Sequence, residues 1–225
     1  MQHRKTCAII VAAGKSTRMG TDKQRIVIGE KTVIEHCLDN FQAAKHIDHI
    51  VVVTSKESLA YMTAIASSKV CCIVEGGDSR QKSVSIGIEQ IPEDVEFVAI
   101  HDGARPFAFP ALIDAICECA YGSGAAVPVI PITSTVKRID ADGDVVSTVD
   151  RDALRLVQTP QVFHLQQYKD ALACAVNMDF TDDCQLFERM NRTVTSIAGD
   201  EKNIKITTPD DLLLAQLIKQ RMDEA

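Results

Sequence analysis

Apolar residues come along this chain in short runs rich in valine and isoleucine, at Cys7–Ala13, His49–Thr54, Val70–Glu75, Phe97–His101 and Ala125–Ile130, each bounded by turn or helix-start residues. Runs of that length and composition predict strands buried on both faces. Between them the apolar positions take a helical period: Val33, Ile34, Cys37, Leu38 and Phe41 share one helix face, and Thr32 with Glu35 forms a capping box ahead of it. A second helix is predicted over Val84–Ile91. Strand and helix in alternation imply an α/β fold with a mostly parallel sheet flanked by helices.

The alternation breaks after Ile132. From Thr133 to Gln158 β-type residues surround an Ala141-Asp142-Gly143 turn signal and the charged segment Lys137-Arg138-Ile139-Asp140, which predicts a projecting β-hairpin arm. Helical patterns return over Leu165–Val176 and Asp182–Met190, and strands are expected at Thr193–Ala198 and Asn203–Thr207. The last helix is the best signalled: Thr208 to cap it, Pro209 in its first turn, Asp210 and Asp211 at its positive end, then Leu212, Leu213, Ala215 and Leu217. With 225 residues, 46% of them hydrophobic, the chain can bury a full core, so residues 1–225 are expected to form one domain carrying the arm at 133–158.

A formal net charge of −7 argues against a general nucleic-acid binder, which needs a basic face for phosphates. An anionic ligand must meet local basic clusters instead. The eight cysteines sit mostly inside apolar runs such as Val70-Cys71-Cys72-Ile73-Val74 and lack paired CxxC spacing, which reads as buried, reduced thiols. The apolar run Cys7–Ala13 is too short for a signal peptide, and no stretch reaches the roughly 18 apolar residues of a membrane span. A cytoplasmic protein is expected.

Three loops at strand ends carry candidate chemistry. Ala12-Ala13-Gly14-Lys15-Ser16-Thr17-Arg18-Met19-Gly20 is a strand running into small residues, followed by the cations Arg18 and Lys23; small side chains let backbone N–H groups approach phosphate oxygens. It is neither a P-loop, since Ile9 stands where a glycine is needed, nor a dinucleotide fingerprint, since Ser16 does. Gly76-Gly77-Asp78-Ser79-Arg80-Gln81-Lys82-Ser83 lies where open α/β sheets bind ligands, at the carboxyl end of a strand. In His101-Asp102-Gly103-Ala104-Arg105-Pro106, Asp102 suits a hard cation and Arg105 a phosphate. Taken singly, each loop is equally a tight turn or a polar helix start, Asp102 and Arg105 would pair with each other, Asp182-Asp183 would cap a helix, and Arg151 and Lys205 would be solvated surface charges.

Together, in order and spacing, these segments resemble the 2-C-methyl-D-erythritol 4-phosphate cytidylyltransferases of the non-mevalonate isoprenoid pathway. The likeness runs through Ala12-Ala13-Gly14, Arg18-Met19-Gly20, Lys23-Gln24, Gly76-Gly77, Arg80, Ser83-Val84, His101-Asp102, Ala104-Arg105-Pro106, Thr148-Val149-Asp150-Arg151, Gln158-Thr159-Pro160-Gln161, Thr181-Asp182-Asp183 and Asn203-Ile204-Lys205. It departs at Gly103, where alanine is usual, and in the short Gly20-Thr21-Asp22 loop before Lys23. The resemblance implies a Rossmann-like nucleotidyltransferase fold, CTP and methylerythritol phosphate as substrates, Mg²⁺ as cofactor, and a homodimer clasped through the arm. By position it puts the triphosphate on the backbone of Ala12, Ala13 and Gly14, with Arg18, Lys23 and Lys205 as the catalytic cations. Gly77, Asp78 and Ser83 would recognise cytosine and Asp102 would hold the metal. Arg105, Thr135, Thr159 and Arg151 would bind the acceptor, Arg151 in the partner's site.

The residue types suit that chemistry. An acceptor phosphate with a second pKa of about 6 is already ionised near neutral pH, so the reaction needs charge stabilisation rather than a general base. Two alternatives stay open: a cytidylyltransferase for another polyol phosphate such as ribitol 5-phosphate, and a nucleotide-binding module without turnover. A dinucleotide oxidoreductase is disfavoured by the missing glycine fingerprint.

Overall fold

The computed structural model describes residues 3–14, 22–175 and 180–224. In chain order the regular elements are β1 (Thr6–Ala12), β2 (Val27–Ile28), β3 (Lys31–Thr32), α1 (Val33–Ala43), β4 (His49–Thr54), α2 (Leu59–Ala64), β5 (Val70–Glu75), α3 (Arg80–Ile88), β6 (Phe97–Asp102) and α4 (Pro110–Ser123). They continue with β7 (Ala125–Pro131), β8 (Val136–Ile139), β9 (Val145–Val149), β10 (Arg155–Val157), β11 (Gln161–His164), α5 (Leu165–Ala173), α6 (Cys184–Arg189), β12 (Thr195–Ala198) and α7 (Pro209–Asp223).

The main sheet runs β10-β7-β11-β6-β1-β4-β5, with β12 paired to β7. Pairings of β1 with β4 and β6, β4 with β5, and β12 with β7 are parallel, whereas β11 is antiparallel to both its neighbours and β10 to β7. Side chains alternate across the sheet, so successive residues of β1 feed two cores. Ala8, Ile10 and Ala12 join Phe41, Ile113 and Ile116 on one face; Cys7 and Ile9 join Val84, Phe163 and Phe187 on the other. A third cluster of Ile28, Val33, Phe107, Ile206 and Ala215 seats α7.

Local signals account for the helix ends. Thr32 and Glu35 make the expected capping box on α1, and Thr208 with Asp211 makes another on α7 behind Pro209. α4 was not anticipated from the sequence, although it carries Pro110 at its start, a left-handed Gly124 at its end and an apolar stripe of Ile113, Ile116, Cys117 and Ala120. β11 was missed too: four residues are too few to show a period.

Several expectations need correction. β5 is the sheet edge and only partly covered, so it is not buried on both faces; Cys71 on it is exposed, as is Cys174, while Cys72 and Cys119 are half-buried. All eight cysteines are unpaired. The segment 203–207 is no strand, because its polar groups bond to loops and side chains: Ile206 N to Ala104 O, Arg105 to Asn203 O, and Asn203 Nδ2 to Thr159 O. α3 begins earlier than expected, at Arg80, and ends at Ile88. Within 133–158 a hairpin of β8 and β9 stands apart from the main sheet, whereas β10 returns to it against β7. Among the described residues no helix is long and apolar enough to cross a membrane.

Candidate active site

Strand order reverses at β1, which has β4 on one side and β6 on the other, and ligands of open α/β sheets bind outside the strand ends at such a switch point. A cleft of about 350 Å³ opens there, lined by Val11, Ala13, Gly14, Lys23, Gln24, Gly77, Asp78, Ser79, Arg80, Ser83, Asp102, Ala104 and Lys205. The carboxyl ends of β1, β5 and β6 thus contribute one wall each. Lys23 arrives by a short helical turn whose start is capped by the Asp22 side chain on Gln24 N at 3.1 Å.

The loop after β5 is braced from within. Ser79 caps α3 by accepting from Lys82 N, and Ser83 Oγ donates to Ser79 O at 2.9 Å while accepting from Gly77 N at 3.1 Å. A side chain at Gly76 would collide with Cβ of Ala13 and Oγ of Ser83, so glycine is what lets this loop close on the end of β1.

Asp102, buried at the end of β6, is the electrostatic centre. Arg80 Nε reaches its Oδ1 at 3.1 Å and Lys205 Nζ its Oδ2 at 2.6 Å. Burial alone would raise its pKa, but the two cations outweigh it and hold the carboxyl well below the usual carboxylate range. Arg80 is shared: its Nη1 lies 2.8 Å from Oδ2 of the buried Asp183, and the two carboxylates keep the guanidinium firmly charged despite its burial.

Beneath Asp102 lies a buried network around His101. Its Nε2 sits 3.1 Å from Arg105 O and its Nδ1 3.0 Å from Thr159 Oγ1, which itself accepts from Asp102 N at 3.1 Å. A carbonyl can only accept, so Nε2 carries the proton and the Thr159 hydroxyl donates to Nδ1. Burial pushes the His101 pKa down to about 4, keeping the ring neutral.

Of the residues singled out from sequence, Ala13, Gly14, Lys23, Gly77, Asp78, Ser83, Asp102 and Lys205 line the cleft, with Ala12 just behind in β1. Arg105 and Thr159 lie outside that lining; Arg105 Nη1 donates to Asn203 O at 2.7 Å, so it does not pair with Asp102 as expected. Thr135 and Arg151 are exposed on the arm, Arg151 donating to Thr133 O at 2.5 Å. Arg18 lies outside the described residues. Lys205 is no solvated surface charge, and Asp183 does not cap α6 with its side chain; both are drawn into the Asp102 network. The roles of Arg80, Asp183 and His101 escaped the sequence reading, although all three stand in its quoted segments, since only tertiary pairing tells a buried ion from a helix start. Among the described residues no three His, Cys, Asp or Glu side chains converge as a metal cluster.

The chain is similar to known proteins over nearly its whole length. The chain is 42% identical over 217 residues to the bifunctional enzyme IspD/IspF of Nitrobacter hamburgensis, covering 93% of this chain and 54% of that one. The chain therefore spans about half the length of that relative and of its Nitrobacter winogradskyi counterpart. It is 39% identical over 225 residues to the 2-C-methyl-D-erythritol 4-phosphate cytidylyltransferase of Desulforamulus reducens, with 95% of each chain covered. Among solved structures, 4-diphosphocytidyl-2C-methyl-D-erythritol synthase from Anaerococcus prevotii superposes with a TM-score of 0.87 at 32% identity, covering 97% of both chains. A family model for IspD, 2-C-methyl-D-erythritol 4-phosphate cytidylyltransferase, matches residues 6–221. With this cleft at the switch point and that match over nearly its whole length, the chain belongs to the 2-C-methyl-D-erythritol 4-phosphate cytidylyltransferase family.

Proposed function

We propose that this chain transfers CMP from CTP to 2-C-methyl-D-erythritol 4-phosphate, releasing pyrophosphate, in the cytoplasm. The observation that carries the reading is the convergence, in one cleft, of the Ala13–Gly14 backbone, the Gly77–Ser83 loop, Lys23, Lys205 and the Asp102 carboxylate. Family membership supplies the substrates; eight unpaired cysteines suit a reducing compartment.

In this reading the triphosphate lies over Ala12, Ala13 and Gly14 and is neutralised by Lys23 and Arg18. Gly77, Asp78 and Ser83 meet the cytosine, the Ser83 hydroxyl keeping Gly77 N–H in place. An oxygen of the acceptor phosphate attacks the α-phosphorus, and the bond to the bridging oxygen breaks as pyrophosphate leaves with the electron pair. No proton has to move in this step. Lys205 neutralises charge growing on the α-phosphate.

Asp102, a carboxylate held ionised by Arg80 and Lys205, would hold a Mg²⁺ ion once Lys205 exchanges its Oδ2 for a phosphate, since Mg²⁺ commonly uses one or two carboxylates with substrate phosphates for the rest. Bound there, it would supply charge neutralisation to the phosphates. Arg105, Thr135, Thr159 and Arg151 bind the acceptor in this reading, Arg151 serving the partner protomer's site. The arm supports a homodimer because it exposes Ile139, Val145 and Val146, each at least 60% accessible.

Pyrophosphate release by purified protein with Mg²⁺ tests the reading. CTP with methylerythritol 4-phosphate is expected to give release, and ATP or UTP is not. Release only with ribitol 5-phosphate would change the acceptor, and silence with every pairing would refute the assignment.

A further inference from the structure

The Thr181-Asp182-Asp183 segment has no part in the chemistry above, yet it brings a buried carboxylate to the edge of the cleft. Asp183 is 4% exposed, accepts from Tyr168 Oη at 2.7 Å through Oδ1, and meets Arg80 Nη1 at 2.8 Å through Oδ2. It makes no capping bond to α6, so its charge is not spent on the helix it precedes. Arg80 opens α3, where the positive end of the helix dipole works against a cation. Two carboxylates hold it there, and the guanidinium spans them with separate nitrogens, Nη1 to Asp183 and Nε to Oδ1 of Asp102. That division leaves Oδ2 of Asp102 to Lys205.

We propose that Asp183 is a positioning residue: by anchoring Arg80 it confines that guanidinium to Oδ1 of Asp102 and leaves Oδ2 to the half-exposed Lys205, a partner that a cation arriving with the nucleotide can displace. Without the Asp183 charge, Arg80 turns its whole fork onto Asp102, expels Lys205 from Oδ2 and masks the carboxylate from any cation bound with the nucleotide. Arg–carboxylate pairs favour that bidentate geometry, so the competition is strong. This inference rests on the cytidylyltransferase reading.

Calorimetric CTP binding without acceptor, with MgCl₂ or with EDTA, tests it in the absence of turnover. The measured quantity is the factor by which Mg²⁺ strengthens CTP binding. Asp183→Asn keeps the size of the side chain and an acceptor for Tyr168, and is expected to cut that factor about tenfold, the usual effect of removing a group that orients a metal-bearing carboxylate. Its metal-free CTP affinity should match the wild type. Tyr168→Phe, which leaves the Asp183 charge in place, should retain the full factor. If thermal melting shows Asp183→Asn unfolded, Asp183→Ser serves instead: it removes the same charge from Arg80 and leaves a hydroxyl for Tyr168, and the same loss is expected. A folded variant with an unchanged factor, or one whose affinities fall equally with and without Mg²⁺, overturns the positioning role alone. A wild type that shows no Mg²⁺-dependent CTP binding overturns the cytidylyltransferase reading and this inference together.

Discussion

Replacing Lys205 with alanine separates a charge that serves chemistry from one that serves the fold. Lys205 Nζ is 2.6 Å from Asp102 Oδ2, but its side chain is 38% exposed, so solvent screens much of the attraction. Such a pair is worth about 0–1 kcal/mol to folding. Asp102 also keeps Arg80 on its other oxygen at 3.1 Å after the substitution. A cost of that size lowers the melting temperature by no more than about 2–4 °C in a chain of this length. Losing a cation aimed at charge developing on the α-phosphate is much more expensive, about 10²–10³-fold in turnover, or roughly 3–4 kcal/mol. The functional loss should therefore exceed the structural one severalfold. Pyrophosphate release at saturating CTP and acceptor measures the first, and a circular-dichroism melt the second. Turnover within about threefold of wild type would remove Lys205 from the mechanism. A melting drop several times larger than expected would make the lysine structural instead.

Two further outcomes follow from other parts of the molecule. Folding lowers the His101 pKa to about 4, so the unfolded chain takes up a proton first as pH falls. The stability that neutral His101 represents is complete above about pH 6.5 and drains away toward pH 4, about 2 kcal/mol having gone by pH 5. Urea denaturation at pH 7.5 and 5.0 should show that loss in the wild type and a correspondingly shallower dependence in His101→Gln, and equal slopes would contradict it. On the arm, Ile139→Glu combined with Val146→Glu places charge on residues 61% and 60% exposed in the single chain. Sedimentation velocity should find a monomer that still binds CTP but has lost acceptor turnover through the missing partner Arg151; a dimer unaffected by both changes would rule out clasping through the arm.

Much of the fold was legible because its signals are local. The parallel strands of the sheet are short apolar runs, and β4 and β5 begin and end where the runs do. The capping box of Thr32 and Glu35 needs only neighbours three residues apart, as does the start of α7 at Thr208. The turn at Ala141-Asp142-Gly143 announces the β8–β9 hairpin, with Gly143 at a positive φ. The loops that line the cleft were visible too, because small residues and glycines recur together at the carboxyl ends of strands.

What the sequence by itself determined, then, is the alternation of strands and helices, the caps, the arm and the set of strand-end loops that line the cleft. Only the tertiary structure decided which strands adjoin, placing antiparallel β11 between β6 and β7, and that β5 would be a half-exposed edge. It also decided the partners of the buried charges. Arg80, Asp102, Asp183 and Lys205 are spread over more than a hundred residues of chain, and no local pattern tells a helix-start Asp from a buried anion. Their pairing follows from burial: a charge withdrawn from water must find its opposite, and the sheet order determines which opposites are within reach.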